Sequence, residues 1–156
     1  MKLNLLCVGR LTLPHLNDGC AEFAGRLKHY MPLEMTEIKE HKTGRKPDLQ
    51  RIIATEGELL AQRIPAGSFV IALDQHGKHL SSEKLADLMN EHMVQSIPEW
   101  TILVGGPYGL SEALRNRADL VLSLSAMTLT HQMARLLLLE QLYRCCTIIR
   151  NEPYHH

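Results

Sequence analysis

Apolar residues recur along the chain in two rhythms, and their alternation predicts the elements. Leu3, Leu5, Leu6 and Val8 make a short apolar strand ended by Gly9. From Leu16 the apolar positions Leu16, Cys20, Phe23, Ala24 and Leu27 fall at helical spacing, with Asn17 or Asp18 available near the cap. Residues 33–38 alternate as a half-exposed strand would, and the polar, basic residues 39–47 that follow carry Gly44 and Pro47, the marks of a loop. Asp48 then caps a helix whose stripe is Leu49, Ile52, Ile53, Leu60 and Ile64.

The second half repeats the alternation. Residues 69–73 are apolar on both faces, as a buried parallel strand requires, and end in a polar turn over residues 74–78. Ser81 or Ser82 caps a helix carrying Leu85, Leu88, Met89 and Met93, with Glu83 suited to its positive end. Residues 100–104 form the next buried strand, stopped by Gly105-Gly106-Pro107. Ser111 caps a short helix, residues 120–122 make a further strand, and a long helix runs from about His131 to Cys145. Strands and helices in alternation predict an α/β sheet covered by helices on both faces. With 156 residues, no repeat and no linker, a single domain over 1–156 is expected.

Charge narrows the function. The 17 Lys and Arg equal the 17 Asp and Glu, so nucleic acid is not held by a general basic excess, and any such contact needs a local patch. Aromatics at 4% argue against a base-stacking single-strand binder. A chain with 45% hydrophobic residues is not intrinsically disordered, yet no apolar run nears the roughly 20 residues of a membrane span. The start is too short for a signal segment. The cysteines Cys7, Cys20, Cys145 and Cys146 form no CxxC pair, so buried thiols in a reducing cytoplasm are expected, without zinc or disulfides.

In such sheets ligands gather beyond the carboxyl ends of the strands. Three segments would converge there: Leu73-Asp74, the loop 104–109 and the stretch 124–129. Neither a dinucleotide fingerprint nor a phosphate loop is present, and by itself the Gly-rich loop reads as a tight turn. His76 and His79 lack an acidic or cysteine partner for a metal. His131 and Arg135 share a helix face, either as a cap or as a functional pair. Glu140 and Arg144, four residues apart, read as an intrahelical ion pair. The end, Asn151-Glu152-Pro153-Tyr154-His155-His156, is by default frayed, although Pro153 stiffens it and Tyr and His are site-type donors.

Three motifs together resemble one family. They are Val104-Gly105-Gly106-Pro107-Tyr108-Gly109-Leu110, then Leu122-Ser123-Leu124-Ser125-Ala126-Met127-Thr128-Leu129-Thr130-His131-Gln132-Met133-Ala134-Arg135, and Glu140-Gln141-Leu142-Tyr143-Arg144 running to Pro153-Tyr154-His155. With the opening Met1-Lys2-Leu3 to Val8-Gly9, the resemblance spans the chain. The family is the ribosomal RNA large-subunit methyltransferase H group of the SPOUT superfamily, whose members methylate N3 of a pseudouridine. It differs at Thr130, where many relatives carry Pro, and at His156, where they usually end on Arg or Lys.

The resemblance implies a single-domain knotted sheet with a C-terminal trefoil knot, rare among folds, and a homodimer. It implies S-adenosylmethionine held by Leu73, Gly105, Leu124, Ser125, Ala126, Met127, Thr128 and Leu129. A branched side chain at Gly105 would then block the ligand and spare the fold. His155 and Tyr154 of the tail, with Arg144 and Arg135, are the expected catalytic set: His155 as proton acceptor, the arginines for phosphate or charge developing on the base. The implied partner is large-subunit ribosomal RNA in the assembled ribosome, and the basic residues 39–46, with Arg51, read either as its footprint or as an ordinary solvated loop. No metal and no membrane take part. The rival readings are a non-catalytic ribosome-associated protein of the same fold and a SPOUT enzyme acting on transfer RNA.

Overall fold

In the computed structural model, which describes residues 1–41 and 48–155, the chain opens with strand β1 (Lys2–Val8), helix α1 (Pro14–Leu27) and strand β2 (Leu33–Ile38). Helix α2 (Leu49–Ala61), β3 (Phe69–His79), α3 (Ser82–Val94) and β4 (Glu99–Val104) follow. Then come α4 (Glu112–Arg117), β5 (Leu120–Ser123), α5 (His131–Ile149) and a 3₁₀ turn, Pro153–His155. The strands form one parallel sheet in the order β2-β1-β4-β3-β5.

The two-residue period of a strand explains the layers. Leu3, Leu5 and Cys7 of β1, with Trp100, Ile102 and Val104 of β4, point to one side, against Cys20, Leu27, Met89 and Leu138 of α1, α3 and α5. Leu6, Val8, Val70 and Leu103 point to the other, against Leu60 and Leu114 of α2 and α4. Each fully buried Leu or Ile contributes roughly 1.5–3 kcal/mol over leaving it exposed. Trp100 also needs a polar partner, and its Nε1 donates to His92 Nδ1 at 2.9 Å. Among the described residues no helix is long and apolar enough to cross a membrane, and all four cysteines are free and buried.

Local signals place most helix starts. Asp48 accepts from the Arg51 amide, Ser81 rather than Ser82 accepts from Lys84, and Ser111 accepts from Leu114. Thr130 caps α5 by accepting from the Met133 amide, a bond that proline cannot make. Helix α1 differs from its sequence expectation. It starts at Pro14, two residues before Leu16, with no side-chain cap of its own. Gln132 Oε1 from α5 instead accepts from the amides of Thr12 at 2.8 Å and Leu13 at 3.3 Å.

Two further boundaries move. Helix α5 runs on to Ile149 because Cys145, Cys146 and Thr147 are still buried. Strand β3 does not stop at Leu73. Leu73 and Lys78 both oppose Leu122 of β5, so residues 74–77 bulge out of the ladder while the strand continues to His79. Gly77 permits this, since a Cβ there would lie 2.7 Å from the backbone of Val121 and Leu122. The expected polar turn is therefore a bulge inside one strand.

Candidate active site and its polar clusters

The bulge, the 105–109 loop and the 123–129 segment close around a cavity of about 930 Å³ beyond the carboxyl ends of β3, β4 and β5. Of the eight residues expected to hold the cofactor, Leu73, Gly105, Leu124, Ser125, Met127, Thr128 and Leu129 line it, and Ala126 does not. Its floor is apolar, from Leu73, Val104, Leu122 and Leu124, and its rim polar, from Asp74, Gln75, His76 and Arg115. The 125–128 stretch is held in shape by the Met127 amide donating to Ser125 Oγ at 2.9 Å and by Thr128 Oγ1 donating to Gln75 Oε1 at 3.3 Å. The amides of Ala126, Thr128 and Leu129 have no hydrogen-bond partner among the described residues.

Tight packing fixes the glycine loop. Gly109, at φ +80°, donates its amide to the Gly106 carbonyl at 3.0 Å and closes a turn over Pro107 and Tyr108. A Cβ on Gly105 would stand 2.6 Å from the Gly109 carbonyl carbon and 2.9 Å from the Leu110 nitrogen. The obstacle is the protein's own backbone, so a branched residue at Gly105 deforms the loop itself, and the expectation of an undisturbed fold is revised. Arg115, absent from the sequence reasoning, ties the walls together: its Nη1 donates to Asp74 Oδ2 at 3.1 Å and to the Leu110 carbonyl at 3.0 Å.

His131 and Arg135 part company. The His131 ring lines the cavity, while its Nε2 is buried without a hydrogen-bond partner among the described residues, 3.8 Å from Glu40 Oε1. Burial, helped by the Arg135 charge, holds the imidazole below its ordinary pKa, with Glu40 opposing. Arg135 is 0% exposed. Its Nη2 donates to the Val8 and Gly9 carbonyls, both at 2.6 Å, and Nη1 donates to Glu37 Oε1 at 3.0 Å. It pins the end of β1 to α5, and its guanidinium does not face the cavity or solvent. Expected as a catalytic cation, it is placed by the structure inside the core.

Two further members of the expected catalytic set, Arg144 and Tyr154, cluster elsewhere, and the side chain of the third, His155, lies outside the described residues. Arg144 donates through Nε and Nη2 to Glu140 Oε1, at 3.0 and 2.6 Å, and Tyr154 Oη donates to the same oxygen at 3.3 Å. Neither lines the cavity. Thirteen residues of α5, about 20 Å at 1.5 Å per residue, separate Arg144 from His131 at the cavity wall. Burial raises the Tyr154 pKa, and Glu140 raises it further, so the hydroxyl stays protonated as a donor. Through residue 154 the tail is ordered rather than frayed: the Pro153–His155 turn lies against α5, with the Tyr154 ring edge-on to Tyr143 at 4.7 Å.

Of the expected RNA-contacting stretch, residues 42–46 lie outside the described residues, whereas Lys39 and Arg51 are exposed. Among the described residues, no group of three or more His, Cys, Asp or Glu is placed to hold a metal ion.

Comparison with known proteins adds the lineage. The family model described as "Predicted SPOUT methyltransferase" matches residues 1–155. The chain is 56% identical over 156 residues, all of this chain and 99% of the relative, to the ribosomal RNA large subunit methyltransferase H of Syntrophotalea carbinolica. It is 43% identical, over the full length of both chains, to the protein of that name from Geobacter sulfurreducens. In fold it is similar to the crystal structure of a probable methyltransferase from Bordetella pertussis Tohama I. The TM-score is 0.57 at 14% identity, over 93% of this chain and 96% of that one.

Proposed function

The chain belongs to the SPOUT methyltransferase family, and from that premise we propose that it methylates N3 of a pseudouridine in large-subunit ribosomal RNA, using S-adenosylmethionine. The carrying observation is the cavity at the strand ends, lined by Leu73, Gly105, Leu124, Leu129 and their neighbours. The residues present fit the cofactor. Unpaired amides at Thr128 and Leu129 match the hydrogen-bonding edge of an adenine, and Leu73, Leu122 and Leu124 offer an apolar slot for its faces. When bound, the cofactor supplies a methyl group already activated by its sulfonium charge.

The protein's part is therefore alignment and proton management. As the N3–methyl bond forms, the N3–H bond breaks and its proton passes to an acceptor, a role we assign to His155. Tyr154 and Arg144 are donors suited to charge on the base oxygens. Arg135 serves as a positioning residue, fixing α5 and hence His131 against the end of β1. Because the Arg144–Tyr154 cluster lies about 20 Å along α5 from its own cavity, the working unit is a homodimer in which one copy's tail meets the other copy's cavity. Lys39 and Arg51 supply part of the RNA contact, on assembled ribosomes in the cytoplasm. The knotted threading of the C-terminal segment belongs to the same reading.

The test is methyl transfer from labelled S-adenosylmethionine to ribosomes, free ribosomal RNA and transfer RNA, with the modified nucleotide identified by mass spectrometry. Label at a pseudouridine N3 of ribosomes is expected. Label on transfer RNA alone, or cofactor binding in calorimetry with no transfer to any RNA, overturns the proposal.

A further inference from the structure

An i,i+4 Glu–Arg pair on a helix surface is an ordinary feature. The Glu140–Arg144 pair is more than that, because the carboxylate is shared. Glu140 Oε1 takes two bonds from the Arg144 guanidinium and one from the Tyr154 hydroxyl, fourteen residues on, while Oε2 accepts from Gln141 Nε2 at 2.6 Å. The side chains of Glu140 and Arg144 are only 18% and 26% exposed, so solvent screens the cluster weakly.

The ring of Tyr154 is gripped as well as its hydroxyl. The Arg144 guanidinium carbon lies 4.9 Å from the ring centroid, and Tyr143 meets the ring edge-on. Tyr143 in turn packs on Phe23 at 6.0 Å and Tyr30 at 5.9 Å, and the Tyr30 hydroxyl donates to the Glu152 carboxylate. The chain reverses through Asn151 at φ +55°, with the Asn151 amide bonded to the Ile148 carbonyl and that of Glu152 to the Thr147 carbonyl. The backbone turn delivers the tail to α5, and Glu140 meets its polar end.

We propose that Glu140 is a positioning residue for methyl transfer, holding the Tyr154 hydroxyl and the Arg144 guanidinium as one preassembled donor pair. The role rests on the enzymatic reading above, in which the tail completes the active site. Carboxylate geometry, not charge alone, carries it, so an isosteric acceptor should replace it in part.

The experiment is a double-mutant cycle on the full chain with ribosomes as substrate, using Glu140→Ala, Glu140→Gln, Tyr154→Phe and Glu140→Ala/Tyr154→Phe. Glu140→Ala should lower kcat about tenfold or more, within the range of lost acid–base and orientation effects. Its S-adenosylmethionine affinity and melting temperature should hold, and Glu140→Gln should recover part of the rate. The double variant should be no slower than the slower single one. Carboxypeptidase should release the C-terminal residues faster from Glu140→Ala than from the parent chain. Full-rate Glu140→Ala, losses that multiply in the double variant, or unchanged tail digestion would overturn the role while leaving the enzymatic reading intact. A parent chain that methylates no RNA overturns both.

Discussion

At the scale of single residues, two side chains four positions apart on one helix have opposite fates. Arg135 is wholly buried and satisfies two strand-end carbonyls that no other described side chain reaches. Replacing it with the shorter, apolar Leu orphans those carbonyls, and each buried unsatisfied group costs about 1–3 kcal/mol. Arg135→Leu should therefore lose about 3 kcal/mol in denaturant unfolding, and Arg135→Lys only part of that, since a lysine cannot reproduce the fork. A variant as stable as the parent but inactive would return Arg135 to catalysis. His131 makes a pH prediction. Its folded pKa lies below the ordinary 6.5, so in the window just below that value the unfolded chain takes up a proton that the folded chain refuses. Stability should fall as pH drops through that window. Glu56, whose pKa burial raises above 4.5, works in the opposite sense in its own window and gains stability as pH falls. The difference between parent and His131→Gln isolates the histidine: thermal melts from pH 7 to 5 should show the parent losing more stability than the variant, and parallel curves would refute the assignment.

At the scale of elements, the helix ends supply a second kind of test. Helix α3 ends in the same reversal as α5, with Ser96 at φ +60° and the Ile97 amide bonded to the His92 carbonyl at 2.9 Å. Serine pays for that left-handed conformation and glycine does not, so Ser96→Gly should gain up to about 1 kcal/mol. For a chain of this size that amounts to roughly 2–4 °C in Tm, and a lower Tm in calorimetry would count against the cap. The elements that could be read from sequence were those whose cause lies within a few residues. Asp48 and Ser111 bond amides three positions on, and the period of residues 100–104 already marks a strand covered on both sides. The same holds for the three strand-end segments that line the cavity, because loops at strand ends announce themselves by glycine and by the end of the apolar run. The start of α1, the bulge of β3 and the interior fate of Arg135 were not legible. Their causes are Gln132, the backbone of β5 and the carbonyls of Val8 and Gly9, all far away in the chain. Arg115 carries no signal either, since Asp74 stands 41 positions before it.

At the scale of the whole molecule, the distance between cavity and tail predicts a division of labour between two copies. The chain should sediment as a dimer at micromolar concentration rather than as the 17.7 kDa monomer. A chain ending at Pro153 should fold and bind cofactor but lose transfer, and Gly105→Val should lose cofactor binding by deforming its loop. Mixing the two inactive proteins should restore part of the activity, because one of the two composite sites in a mixed dimer is intact. No recovery after subunit exchange would place both halves of the site in one chain. The bond from Gln132 to the amides of Thr12 and Leu13, spanning 120 and 119 positions, also bears on how the protein is made. The first helix leaves the ribosome with its opening turn unfinished, and the group that finishes it is synthesised near the end. Hydrogen exchange pulsed during refolding should find the start of α1 protected only together with α5, which makes docking of the last helix the step that completes the first.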